Sequence, residues 1–377
     1  MEVVDWLLDS DPSIRWQVMR DLTDEPDEVI AAERFRIATE GWGALLLSLQ
    51  DRTGQWGREQ LDSSGAESAD GVPDAPTRKL LRELYGMTVE DLAAYLEADP
   101  ARLSAWEEDE TETGEERLDD YLTLTSRLMV SYGTYVPKWV STTYTLLLLR
   151  DLGLDPESHQ AVRAVSLVRE NSKWDEAGQD FFDGEVEPCI NGMTLATGAY
   201  FNQKVDGIVE RLLGERLPDG GWNCEAERGS TRSSFHTTIC VLEGLLEYER
   251  GHGAPAEVTE ARLSGQEYLL ERRMFRRLSD GEIGDPSWTM FSFPPRWHYD
   301  VLRGLDYLRS AGAEPDGRCA EVIDLVAGKR GDDGRWLLEN THPGQVYLEM
   351  EDGDGKPSRW NTLRAMRVLD WYGIANH

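Results

Sequence analysis

Five short segments of this chain repeat one pattern, an apolar pair three residues apart around a charged residue. They are Met19-Arg20-Asp21-Leu22, Leu149-Arg150-Asp151-Leu152, Leu242-Glu243-Gly244-Leu245, Leu302-Arg303-Gly304-Leu305 and Met366-Arg367-Val368-Leu369. Each lies in a run with apolar residues at helical spacing, so each marks a helix with a buried face. The stretches before them are also alike: SIRWQ (13–17), KWVSTTY (138–144), SSFHTT (233–238), PRWHYD (295–300) and SRWNT (358–362), with a weaker sixth unit in PCINGMTLATGAYF (188–201). The anchors at 243, 303 and 367 stand 60 and 64 residues apart, enough for two helices and a loop per unit.

Between the repeated helices lie turns that resemble one another, LQDRTGQWG (49–57), LPDGGWNC (217–224) and KRGDDGRW (329–336), with a degraded NSKWDEAG (171–178). Six helix pairs, each with a Gly-Trp turn on the way to an inward helix, close into an all-α double ring in which outer helices cover inner ones. Inner helices are expected to start at about 13, 141, 190, 234, 296 and 359. The competing arrangement is an open solenoid. Closure is favoured because the first and last units are the most alike, RWQVMRDL against RWNTLRAMRVL, whereas open arrays carry atypical polar caps.

Leu46-x-x-Leu49-Gln50 followed by Gly54-x-Trp56 resembles the Gln-Trp motif of squalene-hopene-type cyclases. Asp219-Gly-Gly-Trp222 and Asp333-Gly-x-Trp336 look like degenerate copies of that motif in the terpenoid cyclase/protein prenyltransferase superfamily. The resemblance covers residues 1–57 and 132–377. It implies an (α/α)6 toroid whose inner-helix N-termini surround a central cavity for a hydrophobic, isoprenoid-like small molecule. Fold does not fix chemistry, and the chain departs from the chemistry of that superfamily. It has no DxDD acid of the class II cyclases, since Asp352-Gly-Asp354-Gly lacks the adjacent carboxylate pair. Nor has it a DDxxD motif, because Asp119-Asp120 is followed by Tyr-Leu-Thr.

The superfamily also implies a metal. Protein prenyltransferase β subunits hold zinc with Asp-x-Cys before one inner helix and a His at the start of another, and lanthipeptide cyclases use two Cys and one His. Here Cys224 precedes an inner helix and His236 starts it, while Cys189 and His298 stand at the neighbouring units, a sulfur and nitrogen set that suits zinc. The alternative is that these four residues line or pack the cavity. At the same mouth, Asp300, His298 and His236 are candidates for proton transfer, and Thr142, Tyr144, Asn191, Trp222, Arg359 and Asn361 for ligand contact. Each has a structural alternative: a helix cap or first-turn charge for Asp300, a cap for Asn191, a salt bridge or stacking for Arg359.

Residues 58–131 stand outside the repeat. Joining Gly57 to 132 brings the first interval to the period of the others, so Arg58–Ser131 reads as an insertion that opens with a Ser/Gly/Asp/Pro stretch over 62–76. The part over 80–110 resembles the helix-turn-helix of Xre/Cro-type repressors, with Met87–Ala93 as first helix and Pro100–Trp106 in the place of the recognition helix. The resemblance implies DNA contact through Arg102 and Ser104. Charge opposes it, because residues 78–127 carry six bases against fourteen acids. A lid or protein-contact module is the other reading.

The whole chain carries 71 acidic and 39 basic residues, a net charge of −32, and such a surface repels nucleic acid and anionic membrane. No apolar run is long enough to span a bilayer, and four cysteines without a CxxC pair suit a reducing compartment, so a cytoplasmic protein is expected. Two classes of function follow. One is an enzyme, a transferase or lyase/cyclase-like catalyst assisted by zinc; the other is a ligand sensor or scaffold whose insert contacts DNA or a protein.

Overall fold

The computed structural model describes residues 2–57, 79, 82–83, 88–95, 99–108, 133–174 and 178–374, without the side chains of residues 91, 94, 95, 102 and 106. Among these the regular structure is helical apart from two isolated bridges and one antiparallel ladder, β1 (Trp336–Leu337) against β2 (Pro357–Ser358). The helices are α1 (Val3–Leu8), α2 (Pro12–Leu22), α3 (Asp27–Phe35), α4 (Gly41–Ser48), α5 (Val89–Tyr95), α6 (Pro100–Glu108), α7 (Thr142–Leu152) and α8 (His159–Asn171). They continue with α9 (Pro188–Tyr200), α10 (Asp206–Gly214), α11 (Phe235–His252), α12 (Ala256–Glu271), α13 (Val301–Ser310), α14 (Ala320–Gly328) and α15 (Arg359–Trp371). No described helix is long and apolar enough to cross a membrane.

Local chemistry sets the helix starts. Asp11, Ser158, Ser234, Asp300 and Ser358 each accept a backbone N–H from the first turn of the helix they precede, which satisfies a donor that has no intrahelical partner. Five of the expected inner-helix starts fall within two residues of those observed, at 12, 142, 188, 235 and 359. The sixth does not. The helix expected at 296 begins at Val301, because Arg296 adopts a left-handed backbone (φ 57°) that no helix continues through, and Asp300 is the cap.

The six helices of the repeat are the most buried. α9 is covered along nearly its whole length, and α7 and α15 are buried over nearly all of theirs. α9 and α11 approach so closely that a Cβ on Gly192 would lie 2.6 Å from the Cys240 carbonyl oxygen, and one on Gly244 2.5 Å from that of Gly192. Only glycine permits that approach. Further contacts join α7 to α9, α13 to α15 and α15 to α2, while Trp16 Nε1 donates to the Leu152 carbonyl between α2 and α7 at 2.9 Å. α11 joins α13 through Glu243 and Arg303.

The two ends of the chain are in contact. Arg359 Nε and Nη2 donate to the carbonyls of Trp6 and Asp9, and its guanidinium lies 4.8 Å from the Trp6 ring. Arg367 bonds Gln17 at 2.8 Å and pairs with Asp21 at 2.6 Å. α5 and α6 pack on each other with Leu92, Ala93 and Leu103 buried, and Arg82 forks onto Glu107 at 2.7 and 2.9 Å. They lie where the two helices of the repressor-like pattern are expected. The Arg102 side chain and the 62–76 stretch lie outside the described residues.

Candidate functional site

The Gly-Trp turns form one hydrogen-bond unit three times over. Trp56, Trp222 and Trp336 are each at most 1 % exposed, and each indole Nε1 donates at 2.7 Å to the carbonyl ten residues upstream, that of Leu46, Leu212 or Val326. Each Trp backbone N–H donates to a threonine at the start of the next helix, Thr142, Thr238 or Thr362, at 3.3, 3.1 and 3.0 Å. The unit ties α4 to α7, α10 to α11 and α14 to α15. Trp222 and Thr142, expected to touch ligand, are occupied by this duty; Thr142 Oγ1 also donates to the Gly133 carbonyl.

Several other candidates are likewise engaged. Asn191 accepts the Glu185 N–H at 2.7 Å and donates to the Glu185 carbonyl at 2.6 Å, pinning the loop before α9. Asn361 donates to the Leu337 carbonyl at 3.1 Å beside the β1–β2 ladder, and Arg359 ties the chain ends together. Asp300 is 2 % exposed; Oδ1 accepts the Arg303 N–H and Oδ2 the Ser292 hydroxyl. Both oxygens thus serve the start of α13, one as its cap and one in holding Ser292. Tyr144 is fully buried, its ring 5.3 Å from that of Tyr135 and 4.7 Å from that of Trp139.

The expected zinc set separates into two groups. Cys189, at the start of α9, and Cys224, in the turn before α11, come together, and the third group beside them is Glu187; one ligand atom from each lies within 4.8 Å of the others. The Cys189 thiol donates to Glu187 Oε2 at 3.6 Å, and Cys224 Sγ is 3.5 Å from Thr237 Oγ1. The hydrogen bond with Cys224, and then burial, push the Cys189 thiol well above its ordinary range. Both cysteines are reduced. The Glu187-Pro-Cys189 spacing was the sequence signal for the carboxylate.

His236 and His298 stand apart from that group. His236 Nδ1 accepts the Tyr299 N–H at 2.8 Å, so the neutral ring carries its proton on Nε2 and has no lone pair left for a metal. His298 is sandwiched at 3.7 Å between the rings of Trp297 and His342. Burial lowers His236 and His342 to about 4 and His298 to about 2, which keeps all three neutral at pH 7. His236 also meets Trp288 and Trp297 edge-on, and Trp139 meets His298 in the same way. The result is a wall of three imidazoles and three indoles next to Thr237, the residue in contact with Cys224. His342 and Trp297, absent from the sequence-based candidates, complete it.

The cavity bounded by α2, α3, α7, α11, α13 and α15 differs from the apolar one expected. It measures about 580 Å³ and is lined by nine arginines and six carboxylates together with Trp16, Leu147, Leu246, Phe293 and Trp360. Its lining runs from α3 and the loop before α13 to the later turns of α2, α7, α11 and α13, and includes neither Cys189 nor Cys224. No protein-family model matches the chain, and no curated protein or solved structure does either.

Proposed function

We propose that the chain is an (α/α)6 toroid of the terpenoid cyclase/protein prenyltransferase kind, with a zinc-assisted site for a hydrophobic small molecule where its inner helices begin. The ring reading is supported by contacts that run from α2 through α7, α9, α11 and α13 to α15 and back to α2, with α3, α10, α12 and α14 each packed on an adjacent inner helix. The observation that carries the site is the meeting of Glu187, Cys189 and Cys224. Two thiols and a carboxylate from two loop-to-helix junctions suit zinc and leave its fourth position to solvent or ligand.

Bound there, zinc would supply charge that lowers the proton affinity of whatever fills that fourth position. Cys189 must lose its proton for metal to bind, and the Glu187 carboxylate that its thiol now faces would then meet the metal instead. The indoles of Trp139, Trp288 and Trp297 offer an apolar face and limit water, and the neutral imidazoles add no charge that would repel a cation. The absence of a DxDD acid argues against alkene protonation as the reaction.

Metal analysis of the purified chain tests this. About one zinc per chain is expected, with Cys224→Ser losing metal and thermal stability together, since a ligand bound to the native state stabilises it. A metal-free protein whose melting is unchanged by zinc or by Cys224→Ser would leave these thiols a packing role only. The second reading, a sensor or scaffold, is favoured by the α5–α6 pair and its Arg82–Glu107 fork. The acidity of that segment directs it toward a protein partner; salt-dependent duplex binding by the whole chain that is lost in Arg102→Ala would direct it to DNA instead.

A further inference from the structure

One arginine in the cavity has no hydrogen-bonding or ionic partner among the described residues. Eight of its nine arginines are held by protein atoms: Arg303 and Arg150 by Glu243, Arg309 and Arg364 by Asp306, Arg367 and Arg20 by Asp21, Arg250 by Glu247, and Arg34 by the Gly153 carbonyl and Tyr200 hydroxyl. Arg296 is the exception. It is 6 % exposed and makes no hydrogen bond or ion pair with any described residue; its guanidinium lies 5.5 Å from the Trp139 ring centre, and Asp151 and Tyr144 act on it only through space. It lines both the cavity and a small crevice bounded by His342, Val346 and Leu348, so it stands in the floor between the two ends of the inner helices.

Two costs fall on this residue. Its left-handed backbone is disfavoured for a residue with a Cβ, and a cation so little exposed with no carboxylate paired to it is poorly compensated. Burial lowers its proton affinity only to about 10, so it remains charged at neutral pH. Around it the cavity carries nine arginines against six carboxylates, an excess of positive charge inside a chain whose net charge is −32.

We propose that this cavity binds a small organic anion, with a carboxylate or phosphate group seated on Arg296 at the floor and the remainder of the molecule among Trp16, Phe293 and Trp360. The guanidinium fork matches the two oxygens of either group, and a cavity of about 580 Å³ has the size of a small-molecule site. The cavity contains neither cysteine, although Arg296 shares Trp139 and His342 with the wall beside them, and anion binding there does not depend on metal.

Inorganic phosphate, pyrophosphate and citrate are to be titrated into the intact chain at constant ionic strength, followed by calorimetry and melting temperature. The wild type is expected to bind at least one of them and to melt higher in its presence. Arg296→Met should weaken that binding roughly tenfold or more, while its own melting point without anion is unchanged or raised, because the unpaired charge is gone. Tighter binding of citrate assigns a carboxylate headgroup; tighter binding of the phosphates assigns a phosphoryl one. The effect must persist in Cys224→Ser, which separates it from the zinc reading. Equal anion binding by Arg296→Met, or no binding of any of the three by the wild type, would overturn the proposal.

Discussion

Glu243→Gln isolates the contact that ties α7, α11 and α13 together. Glu243 on α11 receives two bonds of 2.8 Å from Arg303 on α13, and lies 3.4 Å from Arg150 on α7. The Arg303 side chain is 3 % exposed, that of Arg150 13 % and that of Glu243 18 %, so water screens the pair little. The substitution keeps the shape but turns one acceptor oxygen into a donor facing a guanidinium, and leaves Arg303 charged, buried and short of its counter-ion. Breaking such a pair costs about 3–5 kcal/mol. The lower end is expected, about 3 kcal/mol, because Arg303 keeps its 2.6 Å bond to the His298 carbonyl. Urea unfolding followed by the fluorescence of the 13 tryptophans reads the change directly. The double variant Glu243→Leu with Arg303→Met removes both charges and should recover more than half of the loss. A loss below about 1 kcal/mol in Glu243→Gln, or a double variant less stable than the single, would refute the argument that charge pairing organises this end of the helices.

Thr238→Val removes the acceptor of the buried Trp222 N–H at nearly constant volume and should cost about 1–3 kcal/mol in the same unfolding assay. Lowering the pH from 6.5 toward 4 should destabilise the fold, because His236 and His342 keep folded values of about 4 while the unfolded imidazoles take up protons below 6.5. Stability is complete above 6.5 and falls as pH drops through that window, and His342→Gln should reduce the slope by about one proton. Burial works against the charge on Glu243, yet Arg303 and then Arg150 outweigh it and hold that carboxyl below its ordinary range, so its contribution is lost only at still lower pH. Arg359→Ala should free the first residues of the chain, seen as faster proteolysis near Trp6 with little change elsewhere.

The sequence by itself determined the helices and the turns that punctuate them. Apolar spacing over 142–152 or 359–371 admits only a helix with a buried face, and a Ser or Asp before the first turn sets its start, because both effects act within a few residues. The Gly-Trp turns were legible for the same reason: the indole reaches a carbonyl ten residues back along its own chain. Tertiary structure decided what gathers between helices. Cys189 and Cys224 were both nameable, but that Glu187 rather than His236 joins them depends on which lone pair of His236 the Tyr299 N–H occupies, a contact across 63 residues. The Arg-Trp pairs looked alike in sequence, yet Arg359 found two carbonyls and Arg296 found no partner among the described residues. Helical periodicity records which face is buried; it carries no information on whether the atom opposite is an acceptor, a ring or empty space, because that is fixed by the positions of other helices.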